Sequence, residues 1–244
     1  MRAMVLAAGL GTRLRPLTND RPKALVEVAG RTLLEITFSR LRSFGVEDVI
    51  VNVHHFADMV VDYLQSHRNF GMHVEISQED VLLDTGGGLK KAAWFFQDSQ
   101  EPFFLHNVDV ISTIDLSRMV EFHKSRGALA TLAVQNRETS RHLLFDEAGE
   151  LCGRRAGRDG AIERAREAKN YEARAFSGIH VISPRLLQML DEEGAFSIVS
   201  AYLRLARGGE EIAAFSADDY YWRDLGKVES VKRAEQELGG GVSF

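Results

Sequence analysis

Between residues 13 and 23 the chain places four cations, Arg13, Arg15, Arg21 and Lys23, against a single acid, Asp20. They follow a run of small residues, Ala7-Ala8-Gly9-Leu10-Gly11-Thr12. A guanidinium grips phosphate oxygens two at a time and an ammonium acts as a compact point charge, so Arg13 and Lys23 suit charge build-up during phosphoryl chemistry. Gly9 and Gly11 lack a Cβ and tolerate positive φ, which lets backbone N–H groups turn toward a phosphate at close range. Expected nucleotide contacts therefore run through Ala8, Gly9, Gly11 and Thr12. Two familiar phosphate loops fit poorly: a dinucleotide fingerprint needs a third glycine where Leu14 stands, and a Walker loop needs Gly-Lys-Ser/Thr.

Two distant carboxylates are candidates for a cation site. Asp109 closes the apolar run Phe103-Phe104-Leu105-His106-Asn107-Val108, and Asp224 sits between Tyr221-Trp222-Arg223 and Leu225-Gly226. Either alone reads as a helix cap or turn residue. Together they are enough for magnesium, which takes one or two carboxylates and completes its shell with phosphate oxygens and water. A third segment, Glu79 to Gly88, ends in Asp84-Thr85-Gly86-Gly87-Gly88 ahead of a helical pattern, so a helix N-terminus adds a favourable dipole for an anion near Thr85 and Gly86. A carboxylate at Glu79 only accepts hydrogen bonds, which favours a base with N–H donors: guanine offers two, uracil and thymine one, and the exocyclic amines of cytosine and adenine also fit.

Other tempting residues read as structural. His54 and His55 are neighbours at a strand end and face opposite ways, which suits no shared metal. Trp94, Phe95 and Phe96 read as helix core. Cys152, the only cysteine, forms no internal disulfide or metal knuckle.

The elements that must position these groups are legible from periodicity. Short apolar runs alternate with helical patterns, the signature of an α/β fold with a sheet covered on both faces. Strands are expected at 3–8, 48–53, 73–77, 103–106, 129–134, 142–145, 176–182 and 212–216. Helices are expected at 32–44, 56–66, 87–96, 115–126, 184–191 and 199–207. Short turns between the later strands predict antiparallel additions to a mostly parallel sheet. One domain over 1–238 is expected, with the charged stretch 154–175 as a surface excursion or lid and 239–244 as a frayed tail.

Composition excludes several classes. Lys plus Arg number 30 against 35 Asp plus Glu, a net charge of −5, so no basic field draws nucleic acid. The apolar run at the N-terminus, about six residues long, is too short for a signal or membrane segment, which points to the cytoplasm and no membrane partner.

The segment Leu6-Ala7-Ala8-Gly9-Leu10-Gly11-Thr12-Arg13-Leu14-Arg15-Pro16-Leu17-Thr18, followed by Pro22-Lys23-Ala24-Leu25, resembles the signature of sugar-phosphate nucleotidylyltransferases. The likeness extends through most of the chain and is strongest to short single-domain members. It implies a Rossmann-like three-layer α/β/α fold with a mixed, mostly parallel central sheet, the nucleotide-diphospho-sugar transferase fold. It implies Arg13 and Lys23 as catalytic, Asp109 and Asp224 as ligands of Mg2+, and a segment like Glu79 to Gly86 for the nucleotide. Asn107 and Gly178, the latter within Phe176-Ser177-Gly178-Ile179, match positions on the sugar side. The partners implied are a nucleoside triphosphate and a sugar-1-phosphate, on a monomer or homodimer. The expected reaction is uridylyl transfer to N-acetylmuramate-1-phosphate or another hexose-1-phosphate, as for a cell-envelope precursor. Guanylyl transfer to a mannose- or heptose-type phosphate is the alternative. The sequence departs from the pattern at Val108, where most members have glycine, which predicts crowding of sugar or ribose. Ile162-Glu163-Arg164-Ala165 also lacks the usual Glu-Lys-Pro.

Three rivals are weaker. A nucleotide-sugar binding or regulatory module needs few of Arg13, Lys23, Asp109 and Asp224; a nicotinamide oxidoreductase lacks its third glycine; a nucleic-acid-associated transferase lacks a basic stripe. No hexapeptide repeat announces a fused β-helix domain.

Overall fold

Apolar runs rich in Val, Ile and Leu read as strands buried on both faces, and in the computed structural model three such runs, at 2–6, 48–53 and 103–107, form the parallel nucleus of the sheet with a more polar strand at 73–78 on its edge. Residues 1–156 and 160–239 are described. In chain order the elements are β1 (Arg2–Leu6), the hairpin β2 (Glu27–Val28) and β3 (Arg31–Thr32), α1 (Leu33–Ser43), β4 (Asp48–Val53), α2 (Ala57–Ser66), β5 (His73–Gln78), α3 (Asp84–Lys91) and β6 (Phe103–Asn107). Next come β7 (Val110–Ser112), α4 (Leu116–Arg126), β8 (Ala130–Gln135), β9 (Arg141–Phe145), β10 (Leu151–Ala156) and β11 (Ala161–Arg164). The chain closes with β12 (Glu172–Ile182), α5 (Ile198–Arg207), β13 (Ile212–Ser216), β14 (Trp222–Asp224) and α6 (Val228–Gly239).

The main sheet is ten-stranded, in the order β11-β10-β9-β12-β6-β1-β4-β5, with β8 branching from β12 and β13 from β8. β1 is parallel to both β4 and β6, and β4 to β5. β12 lies antiparallel to β6, β8 and β9, and β10 to β9 and β11, so only β12 and β10 run against the rest. Side chains alternate across each strand. Val5, Val51 and Phe104 join Leu33, Phe38 and Leu41 of α1 in one core. Met4, Ile50 and Leu105 join Leu89, Phe96, Tyr202 and Leu205 in the other. The result is the expected three-layer architecture with a mixed sheet.

Local chemistry sets the helix ends. Thr32 Oγ1 accepts from Glu35 N at 3.0 Å and Asp115 Oδ1 from Arg118 N at 3.0 Å, each meeting an otherwise unpaired first-turn donor. Several expectations need correction. The helix expected at 184–191 is a 3-10 turn over Pro184–Met189. The pattern at 87–96 divides into α3, which begins earlier at Asp84, and a 3-10 turn over Ala93–Phe96. Phe95 and Phe96 are buried there, but Trp94 is 50% exposed, because a 3-10 turn does not keep three successive rings on one buried face. The stretch 154–175 takes up regular strand pairing in β10, β11 and the start of β12, with all four residues of β11 exposed at the sheet edge. With all four of its residues exposed, β11 has no buried face to give a hydropathy alternation. Helix α6 carries Val231 and Ala234 inward, and its sparse apolar stripe left no sequence expectation. Of the tail expected to fray over 239–244, Gly239 closes α6 and 240–244 lie outside the described residues.

Candidate active site

Open α/β sheets bind ligands beyond the carboxyl ends of their parallel strands. Here β1 lies between β4 and β6, with Leu6 paired to Asn52 on one side and Asn107 on the other. The turn that follows β1 therefore starts at the middle of that edge. Asn52 Oδ1 accepts from Ala7 N at 2.7 Å and fixes the turn's departure. Gly11 has φ of 63°, and a Cβ there would lie 3.0 Å from Thr18 Cγ2 and 3.1 Å from Lys23 Cβ. Only glycine meets both conditions without strain. Thr18 Oγ1 donates to Gly11 O at 2.9 Å, folding the loop back so that Arg13, in a 3-10 turn over Thr12–Leu14, and Lys23, opening another over Lys23–Leu25, face one cleft. That cleft measures about 450 Å³ and is also bordered by Ala8, Gly9, Asn107, Asp109 and Asp224.

The two carboxylates meet in it. β14 pairs antiparallel with β7, setting Asp224 opposite Val110, and Leu225 N donates to Asp109 O at 2.8 Å. Asp224 Oδ1 accepts from Gly226 N at 2.7 Å. A Cβ on Gly226 would lie 2.8 Å from Arg13 Nη2, 2.8 Å from Asp224 Oδ1 and 3.2 Å from Asp109 Oδ2. The carboxylate oxygens are thus at most about 6 Å apart, with the Arg13 guanidinium beside them. Lys23 Nζ forms an ion pair with Asp109 Oδ2, both side chains being mostly buried. Beneath them His106 is fully buried, and desolvation pushes its pKa from 6.5 down to about 4. Its Nδ1 lies 2.8 Å from Asn107 O, and a carbonyl can only accept, so that nitrogen carries the proton and steadies the turn before Asp109.

Val108 does not crowd the cleft. Its side chain is 1% exposed and packs in the core with α1, pointing away from the ligand edge. The backbone at this position, with Val108 N donating to Leu6 O at 3.2 Å, orients it so.

The second segment differs from expectation in detail. Glu79 is 2% exposed, and its oxygens accept from Asn52 Nδ2 at 2.7 Å and Leu83 N at 3.0 Å. It ties the ends of β4 and β5 to the start of α3 from the cleft floor, where a base-reading role was expected. Gly86 is buried, and its N–H donates to Phe196 O at 2.9 Å, so that group is unavailable to a ligand. Thr85 does line the cleft; its Oγ1 accepts from Ile198 N at 3.0 Å, which leaves the hydroxyl proton to donate. Asp84, also at the cleft, holds φ of 58° and accepts from Thr85 N at 2.6 Å. His54 Nδ1 contacts Glu79 O at 2.8 Å while His55 stacks on Phe56, so the two part company as their adjacency predicts.

On the sugar side, Gly178 packs under Asn107, whose Nδ2 lies 2.8 Å from where a Cβ would stand. Arg137, absent from the sequence reading, stacks on Trp222 with its Cζ 3.7 Å from the ring centroid and donates from Nη2 to Phe176 O at 2.7 Å. Its loop has ordinary surface composition, which gave no signal. Asn52 did leave one, a lone amide inside an otherwise apolar strand.

The fold thus brings the glycine turn, two cations and two carboxylates to one cleft. The chain belongs to the nucleotidyl transferase family, matched over residues 2–239, and is an enzyme of the sugar-1-phosphate nucleotidylyltransferase class. It is 35% identical to the N-acetylmuramate alpha-1-phosphate uridylyltransferase of Caulobacter vibrioides, over 97% of this chain and 96% of that protein. It is 28% identical to Mannose-1-phosphate guanyltransferase 2 of Candida glabrata, over 93% of this chain but 62% of that longer relative. The solved UDP-glucose pyrophosphorylase from Acinetobacter baumanii shares the fold with a TM-score of 0.80 at 18% identity, over 98% of this chain and 93% of that one. Among the described residues, no helix is long and apolar enough to cross a membrane.

Proposed function

We propose that the chain joins UTP to N-acetylmuramate-1-phosphate, releasing pyrophosphate and the uridine diphosphate sugar. One observation carries the chemistry: Arg13, Lys23, Asp109 and Asp224 converge on the space around Gly226 at the end of β6. The likeness to the Caulobacter uridylyltransferase, over nearly the full length of both chains, supports the substrates.

The donor set suits magnesium. Two carboxylates within about 6 Å supply hard oxygens, and the glycine leaves open the volume that a side chain would fill. Asp109 and Asp224 would hold the ion, which would supply neutralisation of phosphate charge. The chain's own residues do the rest. Lys23 holds the α-phosphate and stabilises charge as the new P–O bond forms, and Arg13 grips the departing pyrophosphate. Asp109 keeps Lys23 aligned before substrate arrives. A sugar-1-phosphate is an anion near neutral pH, so its oxygen attacks without a general base, and rate comes from positioning and charge neutralisation.

Guanylyl transfer to mannose-1-phosphate is the second reading, supported by the Candida relative. A pyrophosphate-release panel crossing UTP, GTP, dTTP and ATP with N-acetylmuramate-1-phosphate, N-acetylglucosamine-1-phosphate, glucose-1-phosphate and mannose-1-phosphate, with and without Mg2+, decides between them. UTP with N-acetylmuramate-1-phosphate is expected to give the highest kcat/KM. A clear preference for GTP with mannose-1-phosphate transfers the reading to the alternative, and no productive pair overturns it.

A further inference from the structure

A guanidinium removed from water is normally met by a carboxylate or phosphate, because an unmatched buried charge is costly. Arg137 has no such match. Its Nε is buried without a hydrogen-bond partner among the described residues, and no described carboxylate lies within ion-pair distance of it. What holds it is the Trp222 face and a single backbone carbonyl, Phe176 O. Burial pulls its pKa down from the usual arginine range, and the field of Asp224 opposes that shift. The group is therefore an oriented, partly desolvated cation with capacity to spare.

Its place beside the cleft, whose lining includes Asp224, is set by the strand. Trp222 and Asp224 are two residues apart on β14 and share a face. A guanidinium stacked on Trp222 thus stands roughly 7 Å along the strand from the Asp224 carboxylate, about the width of a hexose ring. Trp222 Nε1 donates to Ser177 O at 2.7 Å, which fastens the ring to the Phe176–Gly178 wall. That wall also carries Ser177 Oγ, a second buried polar atom with no partner among the described residues. A sugar whose 1-phosphate lies beside Lys23 and Asp224 would bring its far side to Arg137.

We propose that Arg137 is a specificity-determining residue that binds a carboxylate carried by the sugar, and that the substrate class is therefore acidic sugar-1-phosphates. This rests on the nucleotidyl-transfer reading above and deepens it. N-acetylmuramate-1-phosphate has such a carboxylate, on the lactyl ether of its ring, and N-acetylglucosamine-1-phosphate is the same sugar without it. Arginine forks match a carboxylate with two parallel hydrogen bonds, and Nη1 together with the remaining N–H of Nη2 supplies such a fork.

The test compares these two sugars, with glucuronate-1-phosphate against glucose-1-phosphate as a second pair, in the wild-type protein and in Arg137→Met, which keeps the packing over Trp222. The wild type is expected to prefer the acidic member of each pair. Arg137→Met is expected to shrink that preference by about 10- to 100-fold, through KM for the acidic sugar rather than through kcat or KM for UTP. Arg137→Lys is expected to recover only part of it, since an ammonium lacks the fork. A wild-type preference for the neutral sugars, or an equal loss on both members of a pair, overturns the proposal while leaving nucleotidyl transfer intact. Absence of turnover with every sugar overturns the transfer reading instead. Calorimetric titration of N-acetylmuramate-1-phosphate then still decides on Arg137: wild-type binding that Arg137→Met weakens supports it, and no wild-type binding or equal binding by both overturns it.

Discussion

Gly226 is the residue on which three charged groups depend. Its φ lies outside the left-handed region, so alanine is conformationally acceptable there, yet a methyl would contact Arg13, Asp224 and Asp109 together. Gly226→Ala is therefore expected to fold normally and to lower kcat/KM on the order of 100-fold, the scale of losing one preorganised charge contact. Melting and pyrophosphate-release assays on the same preparation check this, and a normal rate would show that the volume is not used. Lys23→Ala tests the adjoining claim. It is expected to lose turnover by about 100-fold or more while keeping secondary structure, and near-normal kcat would refute the role given to the ammonium.

At the scale of elements, two short connections convert a general sheet into this site. The β7–β14 ribbon brings residues more than a hundred positions apart into register, and Gln135 Nε2 fixes the turn leading into it by donating to Ala217 O at 2.8 Å and Tyr220 O at 3.0 Å. The β5–α3 connection is held by the Asn52–Glu79–Leu83 hydrogen bonds. Removing the carboxylate in Glu79→Ala leaves one buried donor, Asn52 Nδ2, and one half-buried donor, Leu83 N, unmet, at about 1–3 kcal/mol for the buried one and less for the other. A fall in Tm of several degrees is expected at this chain length, readable by calorimetry, and an unchanged Tm would mean that the connection is held elsewhere. These ribbons were invisible in the sequence for a physical reason. Strands of three residues, such as Val110–Ser112 and Trp222–Asp224, are too short to show alternation, and their pairing is set by tertiary position. The strands β1, β4 and β6 announced themselves because burial on both faces leaves few polar residues to blur the pattern. The cations beside the glycine turn were equally plain, since glycines and arginines packed into a dozen residues have few structural uses. The bonds that Glu79 accepts from Asn52 and Leu83 were not legible, because residue type shows what a carboxylate can accept and not which donor the fold supplies.

Across the whole molecule, three buried histidines link the fold to pH. Desolvation pushes His106 and His123 from 6.5 down to about 4 and His180 to about 3. Each is held neutral by the interior: His180 Nδ1 faces Tyr202 Oη at 2.8 Å, and the two ring nitrogens of His123 face Thr131 Oγ1 and Ser183 Oγ. The unfolded chain takes up these protons near pH 6.5 and the native chain does not until about pH 4. The stability they allow is therefore fully present above about pH 6.5 and drains as pH falls toward 4, by about 1.4 kcal/mol per pH unit for each histidine near pH 5. Urea midpoints are expected to fall steadily from pH 7 to pH 5, and a flat profile would show that the histidines are not neutral in the fold.

The central claim at this scale is that the first and last parts of the chain meet around one nucleotide and its divalent ion. The proposed site has two carboxylates, Asp109 and Asp224, and magnesium held by two carboxylates completes its shell with phosphate oxygens and water. The most direct measurement is Mn2+ binding by electron paramagnetic resonance with and without UTP, in the wild type, Asp109→Asn and Asp224→Asn. Tight binding is expected only when protein and UTP are both present, and each substitution is expected to weaken it by at least about ten-fold, in line with the loss of a charge-assisted contact. Ternary binding of Mn2+ that neither substitution changes would contradict the account.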